Sequence, residues 1–425
     1  MQIIIVGGGW SGCAAAIAAR KQGAEVLLLE RTDMLLGTGL VGGIMRNNDR
    51  FTATEEMIAL GGGELFALTD ANSLHRNIAF PGHKHASLYN VAAMEPVVRT
   101  LLESLGIQLR FMARIDAAEK SGNRIVSVSA KIDGQTVSFA ADAFVDTTGT
   151  AGPMNLCSRH GNGCAMCILR CPSFGGRVSL TALAGIPEKT GKKGNVVGAM
   201  SGSCKLLKES LSPELLNTLN ETGVAVVPIP KAVSGKADIS GKACQQYALP
   251  EFKDNVILLD TGHAKLMTPF FPLEELRKIP GFANARYEDP YAGGQGNSMR
   301  YLGMSPRDDA LKVDGVDNLY CGGEKAGLLV GHTEAIVTGT LAGYNAAHVV
   351  AGGKPLVLPV ELAVGDAVAH VGERMRTEEG LAFKYTFSGS VYFDRMKELG
   401  LYTVDTGAIR ERVARTGLGG IFSKR

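Results

Sequence analysis

Apolar and polar positions along the chain change rhythm several times, and each change marks an element. Ile3 to Val6 is a short unbroken β-branched run, the pattern of a strand buried on both faces. Ser11 to Gln22 is rich in Ala, lacks Pro and predicts a helix. Ala24 to Leu29 is a second buried run that ends at an acid, Glu30. Val97, Val98, Leu101, Leu102 and Leu105 recur at helical spacing within Met94 to Leu105, and "IQLRFM" follows as a strand. "RIVSVSAKIDGQTVSFAADAF" alternates on both sides of Asp133-Gly134, which predicts a hairpin. "FVDTTGTAG" then reads as a strand running into a glycine turn.

From about Pro153 to Asp254 the rhythm is different. A candidate strand "GRVSLTALA", a helix near Lys205 to Asn220 and a strand "GVAVVPIP" suggest an inserted unit. The strand–helix rhythm is expected to resume at "NVILLD". Near Leu319, "NLYCGGEKAGLLVGHTEAIVTGTLAGYNAA" again runs strand, glycine-rich loop, helix. The last 60 or so residues read as mostly helical. The division this predicts is 1–152 and 255–360 as two parts of one α/β domain, 153–254 as an insert, and 361–425 as a helical tail.

Composition narrows the picture only a little. At 425 residues, 45% of them hydrophobic and 20% charged, the chain has material for a large core. The net charge of +2 offers no overall field for nucleic acid, and the cluster "KTGKKG" (Lys189 to Gly194) reads as a solvated loop. "MQIIIV" runs straight into glycines without a secretory pattern, and no apolar run reaches membrane length, so a cytoplasmic protein with no membrane partner is expected.

The candidate chemistry begins at "GGGWSG". Gly7, Gly9 and Gly12 form GxGxxG between strand and helix. The first glycine permits the turn, the second admits a pyrophosphate to the backbone, and the third lets helix pack on strand. The helix N-terminus supplies N–H donors to phosphate, and Glu30 stands where an acid accepts from a ribose hydroxyl. Two further glycine-rich segments, "LLGTGLVGG" and "CGGEKAGLLVGHTEAI", favour FAD over NAD. A flavin needs distant segments along its ribityl and ring, and the helix start near Thr333 suits an anionic reduced ring.

These segments, with "FVDTTG" and "KIPGFANARYEDPYAGGQ", resemble the FAD-dependent oxidoreductase superfamily, and the late ones resemble its GidA and TrmFO branch. The resemblance implies an α/β fold: a Rossmann-like, glutathione-reductase-like FAD-binding domain interrupted by a substrate or cap domain. It implies that Gly7, Gly9, Gly12, Glu30 and Arg31 hold the ADP part, that Thr38 and Gly39 lie near the ring, and that Ile115 meets adenine. It further implies Gly149 near the pyrophosphate, Gly323 and Glu324 along the ribityl and phosphates, and Gly331, His332, Thr333 and Glu334 under the pyrimidine edge. The tail is short beside that of GidA-type proteins, and the charge is nearly balanced, so RNA is the less expected partner.

"CSRHGNGCAMCILRCP" holds Cys157, Cys164, Cys167 and Cys171, half of the eight cysteines. Three readings stay open. Four thiolates are enough for an iron–sulfur cluster, although the spacing before Cys164 departs from the short bacterial run. Cys164 and Cys167 form CxxC, suited to a redox dithiol or a nucleophile, with Cys171 beside them and Arg159, His160 and Arg170 supplying positive charge. Buried inert thiols are the third reading, and the expected one for Cys13, Cys204, Cys244 and Cys321. His83 and His85 read as a solvated loop. His332 is a candidate catalytic group, and Arg300 and Arg307 are candidates either for an anionic substrate or for surface ion pairs.

The leading expectation is an FAD-dependent oxidoreductase acting on a small-molecule or thiol substrate, with Cys164, Cys167, Cys171 and His332 as catalytic candidates. One alternative is a flavin- and folate-dependent tRNA or rRNA modifying enzyme. Another is a non-catalytic flavoprotein that relays electrons. A homo-oligomer or an electron-transfer partner fits any of the three.

Overall fold

The computed structural model describes residues 1–150, 173–193, 196–197, 199–201, 203–233, 247, 249–268, 271–288, 298–300 and 303–423. Five strands make a parallel sheet: β1 (Gln2–Val6), β2 (Glu25–Leu29), β3 (Gln108–Arg110), β4 (Ala143–Asp146) and β5 (Leu319–Cys321). Their order is β5-β4-β1-β2-β3, with Ile3 opposite Ala143 on one side and opposite Val26 on the other. The unbroken apolar run of β1 is explained by this central place, where Ile3, Ile4 and Ile5 are fully buried. Burying each such side chain contributes about 1.5–3 kcal/mol.

Of the helices α1 (Trp10–Lys21), α2 (Arg50–Ala59), α3 (His332–Val350) and α4 (Ala363–Arg374), α1 and α3 pack on this sheet, α2 packs on α3, and α4 packs on α2. The small residues of α1 let it lie close against both the sheet and α3. A Cβ at Gly339 would overlap the backbone of Ser11, and one at Gly343 would overlap that of Ala15. The two helices therefore touch backbone to backbone. The predicted hairpin is present as Arg124–Ile132 and Gln135–Ala140, extended by Arg114–Ser121 into a three-stranded antiparallel sheet.

The insert is built differently from the sequence expectation. Asn255–Asp260, the "NVILLD" run, does not resume the parallel sheet. It pairs antiparallel with Val224–Pro228 and Ala264–Leu266, and Cys204–Leu206 completes a four-stranded sheet. The expected strand "GRVSLTALA" is instead a short helix at Leu180–Leu183, where Ser179 Oγ accepts from Ala182 N at 3.2 Å and caps the turn. The helix expected over Lys205 to Asn220 starts only at Pro213, with Ser212 as its cap. The "KTGKKG" segment is not a plain loop: Lys189–Thr190 and Lys192–Lys193 are short strands, and Lys189 Nζ donates to Met375 O at 3.0 Å.

A third antiparallel sheet joins Ile44–Met45, His83–Tyr89 and Ser73–Phe80. Its apolar face, with Phe80, Ala86 and Leu88, packs on Ile257, Leu259 and Met267 of the insert. The tail is helical as expected, at α4, Ser390–Glu398 and Thr406–Arg415. Among the described residues no helix is long and apolar enough to cross a membrane.

Candidate functional site

A cleft opens at the carboxyl ends of the parallel strands, where Val6, Leu29, Thr147 and Gly322 lie on its wall. Open α/β sheets bind their ligands at this edge. The cleft encloses about 1800 Å³ of non-protein space, part of it open to solvent.

One end is made by the first glycine loop. Gly7 has φ 103°, and a Cβ there would lie 2.5 Å from Thr147 O, so only glycine makes this turn. At Gly9 an added Cβ meets no protein atom within 4 Å, and the residue faces the cleft. Gly12 is behind the wall, where a Cβ would overlap Gly7 O. The N-terminus of α1 has no side-chain cap, and its first intrahelical bond runs from Cys13 N to Gly9 O at 2.9 Å. Its leading N–H groups are therefore available to an anion. Ser11 Oγ lies on the cleft, buried, with no hydrogen-bond partner among the described residues. An open glycine, uncapped N–H groups and an unsatisfied hydroxyl are what a dinucleotide's phosphates require, so the residues present fit FAD.

Glu30 stands on the cleft as expected, but its carboxylate also builds the loop: Oε2 accepts from Gly8 N at 2.7 Å and Oε1 from Thr32 N at 2.8 Å. Arg31 and Ile115 line the same end. Across from them stands Arg177, which the sequence reading did not single out. It is buried and donates from Nη1 to Gly149 O at 2.7 Å. Burial pushes its guanidinium down to about 10, Asp146 opposes that, and nearby Arg31 adds to it. Two cations at this end complement a pyrophosphate. Further along, Thr38, Gly149, Gly323 and Glu324 line the wall, and Thr150 Oγ1 donates to Glu324 Oε2.

Beneath Gly149 a buried polar cluster joins three segments. Asp146 Oδ2 accepts from Thr181 N at 2.8 Å and from Thr181 Oγ1 at 2.7 Å. Lys325 Nζ donates to Ser179 Oγ at 2.9 Å, touches Glu188 and lies 3.9 Å from Asp146. Burial would raise the Asp146 carboxyl, but Lys325 and the Thr181 and Thr148 hydroxyls outweigh it and hold it below the usual range.

The other end is made by the start of α3 and the insert. His332 is the first residue of α3, and its ring fills the place a Cβ on Gly42 would take. The rings of Trp10 and Tyr89 lie 6.0 and 6.5 Å away, and Tyr89 Oη is 3.4 Å from His332 Nδ1. Gly331 has φ 152°, and a Cβ there would overlap Arg50 and Glu334. Arg50 Nε donates to Glu334 Oε2 at 3.1 Å, and Glu334 Oε1 accepts from Phe387 N at 2.9 Å. Lys265 reaches this end from the insert strand Ala264–Leu266. Its Nζ donates to Gly42 O at 2.6 Å and to Val41 O. Ile44, Met267, Ser203 and Tyr247 complete the wall.

Eleven sequence candidates thus share one cleft: Gly7, Gly9, Glu30, Arg31, Thr38, Ile115, Gly149, Gly323, Glu324, Gly331 and His332. Gly12, Gly39, Thr333 and Glu334 support it from behind; Gly39 lies against the Trp10 indole, and Thr333 and Glu334 are fully buried. Cys157, Cys164, Cys167, Cys171 and Cys244 lie outside the described residues. Cys13, Cys204 and Cys321 are buried, and burial pushes the Cys13 and Cys321 thiols up, away from reactivity. His83 is no solvated loop residue. It is buried on a strand, stacked 4.5 Å from Phe80, with Nδ1 3.0 Å from Asn47 Nδ2. Arg307 is buried too, and donates to Ala326 O at 2.9 Å and to Val368 O at 2.8 Å, which ties the late loop to α4. The Arg300 side chain lies outside what is described.

Residues 2–157 match the family described as FAD dependent oxidoreductase, and residues 262–354 match the one described as Glucose inhibited division protein A. Every cleft residue except Arg177, Val178, Ser203 and Tyr247 falls within those segments. The structure of Aquifex aeolicus GidA in its form II crystal superposes with a TM-score of 0.68 at 17% identity, over 98% of this chain and 73% of that one. The form I crystal gives 0.61 at 15% identity, over 97% and 78%. At such identities the likeness is one of fold.

Proposed function

We propose, since the chain belongs to the FAD-dependent oxidoreductase superfamily near GidA, that this enzyme lays FAD along the cleft and transfers electrons between it and a small-molecule substrate admitted beside His332. The observation that carries this reading is the division of the cleft. One end offers open glycine, uncapped N–H groups and two arginines. The other offers a histidine, a lysine and an apolar wall. Bound FAD supplies two-electron exchange at its ring. The protein's own part is orientation and electrostatics. Arg31, Arg177 and the start of α1 hold the phosphates, Glu324 and Thr38 hold the middle, and the α3 N-terminus favours negative charge at the ring.

In this reading the insert, running past residue 254 to include Ala264–Leu266, covers the ring end, and residues 361–425 form a supporting tail. Cys164 and Cys167, with Cys171, are proposed as a redox pair that meets the substrate; thiol counting before and after flavin reduction, with iron and sulfide analysis, tests that against a cluster. The test of the main reading is direct. The purified protein is yellow, with about one FAD per chain, and its flavin is reduced and reoxidised in a substrate-dependent way. A chain that stays colourless after incubation with FAD overturns it.

The match of residues 262–354 to the GidA model favours a second reading, in which the substrate is a nucleic acid. Binding of tRNA that weakens steeply with salt supports that reading, and salt-insensitive or absent binding removes it.

A further inference from the structure

We infer that the chain has a second ligand site, on the outer side of the wall that Ala113 and Ile115 give to the cleft, and that it takes a nucleoside monophosphate. Arg31, Arg114 and Lys131 receive the phosphate there, and Phe174 with Met112 receives the base.

The place of the site follows from alternation. Ala113 and Ile115 are buried and line the cleft. In an extended chain their neighbours turn to the opposite side. On that side Met112, Arg114 and Asp116 line another cavity, together with Arg31, Lys131 and Phe174. Arg31 lines both cavities and stands between them.

Two guanidinium groups are fastened to one turn. Arg31 Nη1 donates to Gly175 O, and Arg114 Nε donates to Gly176 O at 2.8 Å. Gly175 has φ 76°, and a Cβ on it would lie 2.8 Å from Arg114 Cδ, so the Arg114 side chain lies across the turn. Carbonyls are neutral: they aim the two groups and cancel neither charge. Lys131 adds a third cation, directly opposite Arg114 in the pairing of Arg114–Ser121 with Arg124–Ile132. Like charges directly opposite one another destabilise a sheet. Among the described residues none of these three cations makes an ion pair, and Asp116, the carboxylate on the cavity, is exposed and makes none either. Residues 151–172, which lead into Ser173, contain no Asp or Glu.

The donor set says which kind of anion. Arg114 keeps both Nη groups and Arg31 its Nη2, and paired forks of this kind match the oxygens of a phosphate. A phosphomonoester carries about −1.5 to −2 charge at neutral pH, which relieves the repulsion among three cations that face one acid. The apolar part says what carries it. Met112 is 53% exposed, and its φ of 53° is in the left-handed region, rare for a side chain of this kind. Its N donates to Thr32 O at 2.9 Å, which holds it there. Phe174 is half-buried on the same cavity. A thioether and an aromatic face beside a phosphate seat suit a planar base, and inorganic phosphate alone would leave them unused.

The experiment uses the full chain saturated with FAD, so that the cleft is filled, and isothermal titration calorimetry with AMP, UMP, adenosine and inorganic phosphate. AMP or UMP is expected to bind at about one per chain, and about tenfold or more tightly than either adenosine or phosphate. Arg114→Gln and Lys131→Gln should each weaken it by about tenfold and leave the FAD content unchanged, since both side chains face away from the cleft. Lys131 is exposed, so Lys131→Gln decides the matter where Arg114→Gln fails to fold. A tetraribonucleotide with a 5′-phosphate tells the two sources of this chemistry apart. Weaker binding than the mononucleotide supports a free nucleotide, and tighter binding that Lys131→Gln weakens supports a chain end. Absence of saturable nucleotide binding by about 1 mM, phosphate or adenosine binding as tightly as the nucleotides, or Lys131→Gln binding them as the wild type does overturns the inference. The inference does not rest on the flavin reading: a chain that takes up no FAD is titrated as the apoprotein, with the same outcomes read from Lys131→Gln.

Discussion

An added Cβ at Gly9 meets no protein atom within 4 Å, whereas one at Gly12 would overlap Gly7 O. The two glycines of one motif therefore have separable jobs. Gly9→Val is expected to fold with a melting temperature near that of the wild-type apoprotein and to lose FAD, because the new side chain takes the room kept for the pyrophosphate. Gly12→Val is expected to lose the fold as well, since helix and strand cannot both keep their places. Circular dichroism and flavin content measured on both variants separate these outcomes; equal FAD content in Gly9→Val and the wild type would show that the phosphates go elsewhere. Gly7, Gly9, Gly12 and Glu30 were legible in the sequence because strand, turn and helix follow one another within a few residues. Lys265 was not. Its partners Val41 and Gly42 are 224 and 223 positions away, and only the pairing of the insert strands brings them together. Arg177 and Arg50 escaped for the same reason, though a lone lysine in the apolar run "HAKLM" and an arginine in the buried segment "IMRNNDR" were signals that could have been followed.

Elements whose period is written locally appear where the pattern puts them: β1, α1, the hairpin around Asp133-Gly134 and α3. Elements settled by distant pairing do not. "NVILLD" looks like any buried strand, and its antiparallel partners lie in segments whose own pattern is weak. "GRVSLTALA" alternates like a strand, but the Ser179 cap decides for a helix, and "SPEL" carried the start signal for Pro213–Thr222 that a longer expected helix hid. Helix packing yields a prediction at this scale. Gly339 and Gly343 lie four apart on α3, and each presses on the backbone of α1. Gly343→Leu should force the helices apart and cost on the order of 3–5 kcal/mol, with Gly343→Ala costing less. Urea denaturation of the FAD-loaded protein measures this, and a loss below about 1 kcal/mol would mean that the helices can separate without penalty.

Over the whole molecule, the helical tail is fastened to the cofactor-binding part by buried polar contacts as well as by apolar packing. Thr386 Oγ1 donates to Glu334, Arg307 reaches Val368 O, and Glu56 of α2 caps a helix that is not its own. The Glu56 carboxylate accepts from Ala363 N and Val364 N, both at 3.0 Å, at the start of α4, and from Arg412 at 3.2 Å. An acid at a helix N-terminus is favourable, but here complete burial outweighs the N–H groups and Arg412, and pushes the carboxyl up to about 7 from 4.5. The sign of the consequence is fixed. Between about pH 4.5 and 7 the unfolded chain has released this proton and the folded chain still holds it, so the folded state binds more protons and stability falls as pH rises. The slope from this group is about 1.4 kcal/mol per pH unit, it flattens above pH 7, and the whole effect is on the order of 3 kcal/mol. Glu56→Gln keeps one acceptor oxygen for α4 and cannot titrate. It is expected to lie close to the wild type at pH 5, where both side chains are neutral, and to lack this part of the slope, so that the wild type falls below it as pH approaches 8. Urea midpoints measured at half-unit steps across that range give the answer: parallel curves for wild type and Glu56→Gln would mean that Glu56 is already ionised at pH 5, and that its ionic contact with Arg412 holds the tail in place.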